Sequence, residues 1–162
     1  MLTESFFHVG VIVPRLEAGL DHLSNILGLS WMPVTETQVP VTDWDTGVDH
    51  HVALRFAYSV EDPHLEVIEE VPGSVWVCNP GSNLHHIGFW SDDLPTESSR
   101  LHASTCPIEI AGYASSSERP ALYTYHADSL GIRVELIDSG LRAIMEAGFA
   151  EARAGAANRG QA

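Results

Sequence analysis

The stretch FFHVGVIV at residues 6–13 has a counterpart 78 positions later, LHHIGFW at residues 84–90, which aligns His8 with His86. In both stretches the histidine is followed by an aliphatic residue and a glycine inside a short apolar run. Short runs rich in β-branched and aromatic residues are typical of strands. We therefore interpret both stretches as the opening strand of a repeated unit.

A second pair of motifs supports the repeat. LEVIE at residues 65–69 matches VELID at residues 134–138, at an offset of 69. Each half of the chain thus begins with a strand that carries a histidine and ends with a strand that carries a glutamate. Since internal repeats dictate architecture, the ordered matches favour a duplication over a coincidence of short apolar motifs.

The elements between these motifs also repeat in the same order. Leucines at steps of four, three and four predict a helix over 16–27, and Gly28 stands where a left-handed terminator is expected. A second, shorter helix is predicted over Leu94–Ala103, opened by Asp92 or Asp93. The other predicted strands are Trp31–Val41, Val52–Val60, His64–Val71, Pro107–Ala111, Ala121–Ala127 and Ile132–Asp138.

This order predicts an α+β protein with two tandem βαβββ modules. We place the first module at residues 1–78 and the second at 79–138. Residues 139–162 would form a C-terminal amphipathic helix, with about the last ten residues frayed. The whole would be one compact domain.

The charge of the chain argues against two classes of binding partner, nucleic acids and anionic membranes. The chain has 22 acidic and 8 basic residues, all eight of them arginine, and a formal net charge of -14. Because the arginines are scattered singly, nucleic acid and anionic membrane surfaces are poor partners. No apolar run is long enough for a membrane-spanning helix, and Cys78 and Cys106 form neither a CxxC pair nor a disulfide framework. We expect a cytoplasmic protein.

Four polar residues occupy corresponding positions in the two halves. Side chains alternate along a strand, so His8 and His86 lie on matching faces of the opening strands, and Glu66 and Glu135 on matching faces of the closing strands. Two carboxylates facing a sheet interior need a compensating cation. Two imidazoles and two carboxylates would suit one divalent ion, such as Zn, Ni, Co, Mn or Fe. The alternative is a pair of hydrogen-bonded histidines with two solvated glutamates.

With these motifs, the chain resembles the vicinal oxygen chelate superfamily. That group includes glyoxalase I, methylmalonyl-CoA epimerase, extradiol dioxygenases and the bleomycin- and fosfomycin-resistance proteins. The resemblance covers roughly residues 6–138 and rests on HVGVIVPRLEAGLDHLSNILGL, LHHIGFWSDDL and YHADSLGIRVELID. It implies an open, barrel-like mixed sheet with helices packed outside, one metal held by His8, Glu66, His86 and Glu135, and a homodimer.

The resemblance also implies a reaction class. The leading hypothesis is proton transfer on a small carbonyl or polyoxygenated substrate through a metal-stabilised enolate, by an isomerase, epimerase or lyase. Glu135 would be the first candidate base and Glu66 the second. Two other hypotheses remain: an Fe(II) dioxygenase that uses His8, His86 and Glu135, and a metal-free binding or antibiotic-resistance protein.

Several other polar and aromatic residues allow two interpretations each. His126 is a candidate proton shuttle, or it satisfies a local polar group. His64 would line the pocket or end a strand in solvent, and Arg133 would bind a substrate carboxylate or pair with an acid. Trp90 and Tyr125 would supply pocket walls or core. The remaining histidines are expected at the surface: His22, His50, His51, His85 and His102. Selectivity is assigned to the loops Thr42–His51, Val71–Asn83 and Tyr113–Pro120.

Overall fold

A computed structural model describes residues 5–113 and 122–159. In the first module, strand β1 is followed by helix α1 and three strands: β1 Phe6–Val13, α1 Leu16–Leu27, β2 Thr35–Asp43, β3 Asp49–Tyr58 and β4 His64–Glu69. The second module repeats this order: β5 Leu84–Ser91, α2 Leu94–Ala103, β6 Ile108–Gly112, β7 Tyr123–Ala127 and β8 Arg133–Asp138. A 3-10 turn, Ser139–Leu141, leads into helix α3, Arg142–Arg159. The predicted pair of βαβββ modules is confirmed.

The eight strands form a closed barrel in the order β1-β4-β3-β2-β6-β7-β8-β5. β1 pairs parallel with β4 inside its own module and antiparallel with β5 of the other module. The two modules also pair through β2 and β6, where the ladder is short and has three residue pairs. The barrel-like mixed sheet was predicted correctly, but the sheet is closed where we expected an open one. Because of this closure, no strand among the described residues has a free sheet edge.

Helix ends follow the sequence signals. Gly28 adopts a left-handed conformation with φ 73°, and its N–H donates to the Ser24 carbonyl at 2.9 Å, which ends α1. At the start of α2, Asp93 Oδ1 accepts the Thr96 N–H at 3.1 Å, so Asp93 is the cap. Helix α3 continues to Arg159, past the point where we expected fraying.

Several strand limits differ from the prediction. β2 starts at Thr35, because Trp31 makes only an isolated bridge to Ser59 and donates its indole N–H to α1. β2 and β3 extend to Asp43 and back to Asp49, which shortens the polar connection that we placed at Thr42–His51. Polar residues form the cross-strand pairs at this end of the hairpin, so a prediction from hydrophobic alternation makes both strands too short.

The apolar core has three parts. The barrel interior holds Ile12, Leu54, Ile68, Trp76 and neighbours. A second cluster packs α1 against the outside of β1 and β4, and a third packs Phe149 of α3 against Phe7, Trp90 and Ile137. Helix α1 therefore covers the outside of the sheet, whereas α3 packs on side chains that share strand faces with His86 and Glu135. Among the described residues, none of the helices has the length and apolar character to cross a membrane.

Candidate metal centre

The four repeated polar residues lie on four neighbouring strands, in the order β4, β1, β5 and β8. Glu66 is paired with Gly10 across β4 and β1, and Gly10 is paired with His86 across β1 and β5. Glu135 is likewise paired with Gly88, which is paired with His8. The site therefore consists of two rows, each with a glycine between a glutamate of its own module and a histidine of the other. The strand pairing that joins the modules also assembles the group.

The two glycines provide the space for the imidazoles. A Cβ at Gly10 would lie 1.9 Å from Cε1 of His86, and a Cβ at Gly88 would lie 2.3 Å from Cε1 of His8. Both distances are far below van der Waals contact, so any side chain at either position would displace the opposite ring. The repeated histidine–aliphatic–glycine motif thus encodes both the ligand and the cavity for its partner.

The ligand atoms converge on one point. His8 Nε2 and His86 Nε2 are 2.8 Å apart. Oε2 of Glu66 lies 3.4 and 3.2 Å from these two nitrogens, and Oε2 of Glu135 lies 3.1 and 3.3 Å from them. All four ligand atoms lie within 4.8 Å of one another. The structure therefore brings together the complete quartet predicted from the repeat.

These spacings and the donor set fit a divalent ion. With ligand bonds of about 2.1 Å, neighbouring ligand atoms are separated by about 3.0 Å in an octahedron and about 3.4 Å in a tetrahedron. Moreover, Glu66 Oε2 and Glu135 Oε2 are buried, and apart from their contacts with the two imidazoles they make no hydrogen bond within the described part of the chain. Buried carboxylate oxygens without a hydrogen bond are costly, and an ion between them would satisfy both.

The protonation of the quartet depends on its ion pairs. Burial lowers the pKa of His8, but the two carboxylates outweigh burial and raise it to about 9. The same balance raises the pKa of His86. Burial raises the pKa of Glu66 and Glu135, but the imidazoles outweigh it and hold both pKa values below their ordinary range. Without an ion, the carboxylates are therefore ionised and protons on the imidazoles compensate their charge.

His85 supports His86 from outside the quartet. Its Nε2 lies 2.9 Å from the Val75 carbonyl oxygen, and its Nδ1 lies 2.8 Å from Nδ1 of His86. Burial and the neighbouring His86 and Arg133 lower the pKa of His85 to about 3, so this ring is neutral. A carbonyl oxygen only accepts, so the single proton of His85 is on Nε2, and its Nδ1 accepts a hydrogen bond from the Nδ1–H of His86. Neutral His86 then has the lone pair on Nε2, where an ion requires it.

We expected His85 at the surface, and that prediction is wrong. His85 is 4% exposed because the segment after β4 covers it with the Val75 carbonyl. The β1–β5 ladder also shifts register there, pairing Gly10 with His86 but Val11 with Leu84. His85 is thus the extra residue of a β-bulge, which changes the direction of its side chain. The His-His dipeptide was the available signal; the other four histidines expected at the surface are exposed.

Phe7 is the equivalent of His85 in the first module. It falls at the other register shift of the same ladder, and its ring packs edge-on against His8 with centroids 4.6 Å apart. Because a phenyl ring accepts no conventional hydrogen bond, His8 Nδ1 has no hydrogen-bond partner among the described residues. The two histidines are therefore related by the repeat but differ in their support.

His126 does not join the group. Its Nε2 lies 2.9 Å from Ser98 Oγ of α2, and its Nδ1 lies 2.9 Å from the Cys106 carbonyl oxygen. These contacts place the ring on the helix-covered face of β7, whereas neighbouring Tyr125 contacts His86. The proton-shuttle hypothesis therefore lacks the required proximity, and the observed contacts are those of a buried residue that joins α2 to the sheet.

His64 and Arg133 also have structural partners. His64 stacks on Phe149 with ring centroids 3.9 Å apart and contacts the Ser59 carbonyl and Asp62, so it is neither in the quartet nor solvated. Arg133 forms a two-pronged ion pair with Glu109, at 2.6 and 2.9 Å. Of the two roles considered for Arg133, pairing with an acid is the one observed.

A cavity of about 210 Å³ opens beside the quartet. Glu66 and Glu135 border it, and Tyr125 forms part of its wall. Leu141 of the 3-10 turn and Met145 of α3 also line it. Trp90 instead stacks on Phe7 in the third core cluster. Of the three loops to which we assigned selectivity, the segment after β4 contributes Trp76 to the wall, and all but Tyr113 of Tyr113–Pro120 lies outside the described residues.

Fold and site together define a class: a two-module βαβββ barrel with a His2Glu2 group at the junction of the modules. A family model for the glyoxalase/bleomycin resistance protein/dioxygenase superfamily matches residues 7–123. The chain belongs to this superfamily. Comparison with curated protein sequences gives no significant match.

Solved structures with the same fold include methylmalonyl-CoA epimerases. One, in complex with methylmalonyl-CoA and NH4+, is 17% identical with a TM-score of 0.55, over 83% of this chain and 93% of that chain. A variant of the Streptomyces coelicolor enzyme in complex with 2-nitronate-propionyl-CoA is 17% identical with a TM-score of 0.55, over 83% and 96%. The Mycobacterium tuberculosis enzyme is 16% identical with a TM-score of 0.50, over 83% and 87%. At these identities the likeness establishes the fold.

Proposed function

We propose that this protein is a metal-dependent enzyme that transfers a proton at carbon in a small carbonyl or polyoxygenated substrate, as an isomerase, epimerase or lyase. The observation that carries the proposal is the convergence of four buried ligand atoms beside a cavity that both carboxylates border. The epimerase activity of the structural neighbours supports the same reaction class. The proposal concerns chemistry at this site, and the fold alone would not support it.

His8, His86, Glu66 and Glu135 would hold the ion. When bound, a divalent ion there supplies Lewis acidity that stabilises negative charge developing on substrate oxygens. The protein's own contribution is to keep both carboxylates ionised, to present Nε2 of each imidazole, and to exclude bulk water from the ligand atoms. Oε2 of Glu66 lies 3.4 and 3.2 Å from the two imidazoles, similar to the 3.1 and 3.3 Å of Glu135, which supports four protein ligands over the two-His, one-Glu set of the dioxygenase hypothesis.

Glu135 is our first candidate for the base, and Glu66 the second. Each carboxylate has an oxygen directed at the imidazoles and borders the cavity in which a substrate would lie. A carboxylate in that position can accept a proton from a substrate carbon and return it. Burial raises the pKa of the facing phenol of Tyr58 well above its usual value, as do the nearby carboxylates, so this hydroxyl stays protonated as a donor.

The experiment combines metal analysis with hydrogen exchange. Native protein is assayed for bound metal, stripped with chelator, and tested for deuterium exchange into a panel of small α-hydroxy and α-keto compounds before and after reloading. We expect exchange that depends on metal and falls at least about 100-fold in Glu135→Gln. Full exchange in Glu135→Gln would refute the base assignment. Oxygen consumption that depends on Fe(II) would instead establish the dioxygenase, and metal-free native protein with a bound apolar compound would establish the binding protein.

The remaining predictions concern the location of the protein in the cell, its oligomeric state and its module boundaries. We propose a cytoplasmic homodimer with module boundaries at 78/79 and 138/139. The dimer rests on the family resemblance alone, because the closed barrel offers no unpaired edge among the described strands. Light scattering in solution measures the oligomeric state directly.

A further inference from the structure

Building on the proposed function, we infer that the substrate carries an uncharged apolar group, an aryl or branched alkyl substituent of six to ten heavy atoms, next to its metal-binding oxygens. The cavity beside the quartet carries this inference through its size, its walls and its charge. It places the substrate class away from the acyl-CoA thioesters of the structural neighbours.

Apart from the two carboxylates and three tyrosines, the residues that line the cavity are apolar. Phe56, Ile68, Trp76 and Ile137 line it, and Ile68 and Trp76 are each 1% exposed. These side chains belong to β3, β4, the segment after β4, and β8, so the surface is formed by rigid elements from both modules. An apolar substituent that enters here removes its own surface and that of the walls from water.

Size limits what can enter. A cavity of about 150 Å³ lined by apolar side chains is large enough to hold benzene. The cavity here is about 210 Å³, which leaves room for a ring with a short substituent. A pantetheine arm with its nucleotide is several times larger than this and would have to lie outside the cavity, on the protein surface.

The lack of cationic side chains at the cavity also favours an uncharged substituent. The chain contains no lysine, and no arginine lines the cavity among the described residues. The described arginines on neighbouring elements are already in ion pairs: Arg55 with Glu17, Glu36 and Glu69; Arg133 with Glu109; Arg142 with Glu146; and Arg153 with Asp62. Glu66 and Glu135 already balance the charge of a divalent ion, so a carboxylate or phosphate on the substituent would enter the cavity without a cationic side chain to pair with it.

One polar atom in the wall is available to a ligand. The hydroxyl of Tyr123 is buried and has no hydrogen-bond partner among the described residues, and its ring borders the cavity. Tyr123 is paired with Ile137 on β8, two residues from Glu135. A phenol at this point can donate to a neutral oxygen of the substrate, so it suits a carbonyl or hydroxyl group between the apolar substituent and the ion.

The test uses two chelating probes that differ only in their substituent, acetohydroxamic acid and benzohydroxamic acid. Their dissociation constants are measured by calorimetry on the Zn²⁺-loaded protein and by ligand-observed NMR on the chelator-stripped protein. We expect benzohydroxamic acid to bind at least about 10-fold more tightly in both forms, because the phenyl ring buries more apolar surface than the methyl group. Methylmalonyl-CoA should bind more weakly than benzohydroxamic acid to the loaded protein.

Two phenylalanine substitutions on the same strand provide a matched comparison. Val39→Phe fills the cavity from its half-buried wall position, and Gln38→Phe adds the same ring on the exposed face. We expect Val39→Phe to remove the preference for benzohydroxamic acid and Gln38→Phe to preserve it.

The outcomes separate this inference from the proposed function. Equal affinity for the two hydroxamates, an unchanged preference in Val39→Phe, or tighter binding of methylmalonyl-CoA would overturn the inference and leave the metal centre intact. A phenyl preference in the stripped protein, together with no uptake of Zn²⁺ and no gain in affinity on metal addition, would support the apolar subsite and overturn the metal-dependent function.

Discussion

Nε2 of His8 lies 2.8 Å from Nε2 of His86, although the two residues are 78 positions apart in the chain and belong to different modules. Each imidazole reaches the other across a glycine of the opposite strand. Because β1 and β5 run antiparallel, the same three-residue motif on both strands places each histidine opposite the other's glycine. Duplication of one strand is therefore sufficient to create a pair of facing histidines.

The first prediction concerns these glycines. Gly10→Ala places a methyl group in the space of the His86 ring, and Gly88→Ala does the same to His8. Since the ring must move from its position in the quartet, we expect each variant to lose metal affinity by at least about 10-fold, measured by competition with a chromogenic chelator. Gly148→Ala is the control: its new methyl would meet only the flexible end of Met32, at 3.4 Å, and affinity should be unchanged.

His85 is the subject of the second prediction. His85→Ala removes the acceptor for Nδ1 of His86 and leaves that buried donor without its partner. We expect metal affinity to fall about 10- to 100-fold, the usual effect of removing a hydrogen-bond partner of a ligating histidine. Histidine ¹⁵N shifts should show the Nδ1-H tautomer of His86 in the metal-loaded wild-type protein and a mixture in the metal-loaded variant. His51→Ala, at an exposed position of β3, is the matched control; equal losses of metal affinity in both variants would contradict the assignment.

The third prediction concerns the pH dependence of the metal-free protein. The pKa of His8 is raised from 6.5 to about 9, so its stabilising effect is complete below pH 6.5 and is lost as pH rises to 9. The pKa of His85 is lowered from 6.5 to about 3, so the folded state loses stability as pH falls below 6.5. These two shifts therefore predict maximal stability near pH 6.5.

Urea unfolding between pH 4 and 9.5 measures this profile. A bound ion needs neutral imidazoles, so added Zn²⁺ should reduce the loss of stability on the alkaline side. In His8→Gln, the metal-free protein should no longer lose stability between pH 6.5 and 9 from this group. A wild-type stability that rises steadily across that range would show the sign to be wrong.

The fourth prediction concerns the attachment of α3. Phe149 is 2% exposed and stacks on His64, and Arg153 donates to the Val60 carbonyl at 3.1 Å. Phe149→Ala should lower the free energy of unfolding by about 3 kcal/mol, as expected for removal of a buried aromatic ring. Ile144→Ala on the same helix removes a side chain that is 74% exposed, so its effect should stay within about 0.5 kcal/mol. Similar values for the two variants would argue against docking through Phe149.

The sequence by itself determined the order of the elements, the duplication and the four members of the quartet. These features are local or periodic. Alternation along a strand assigns His8 and Glu66 to a face without knowledge of the neighbouring strands, and the repeat transfers that assignment to His86 and Glu135. The cap at Asp93 and the terminator at Gly28 also follow from single side chains and backbone preferences.

The tertiary structure alone decided which residues surround the quartet. His85 becomes a buried support because a β-bulge changes its direction and the Val75 carbonyl covers it, and neither effect leaves a periodic signal. His126 lies under α2 because alternation gives two faces but does not say which one a helix covers. Closure of the barrel and the volume beside the carboxylates depend on contacts between distant segments. Local sequence encodes backbone preference and side-chain direction, whereas burial and pairing are properties of the assembled sheet.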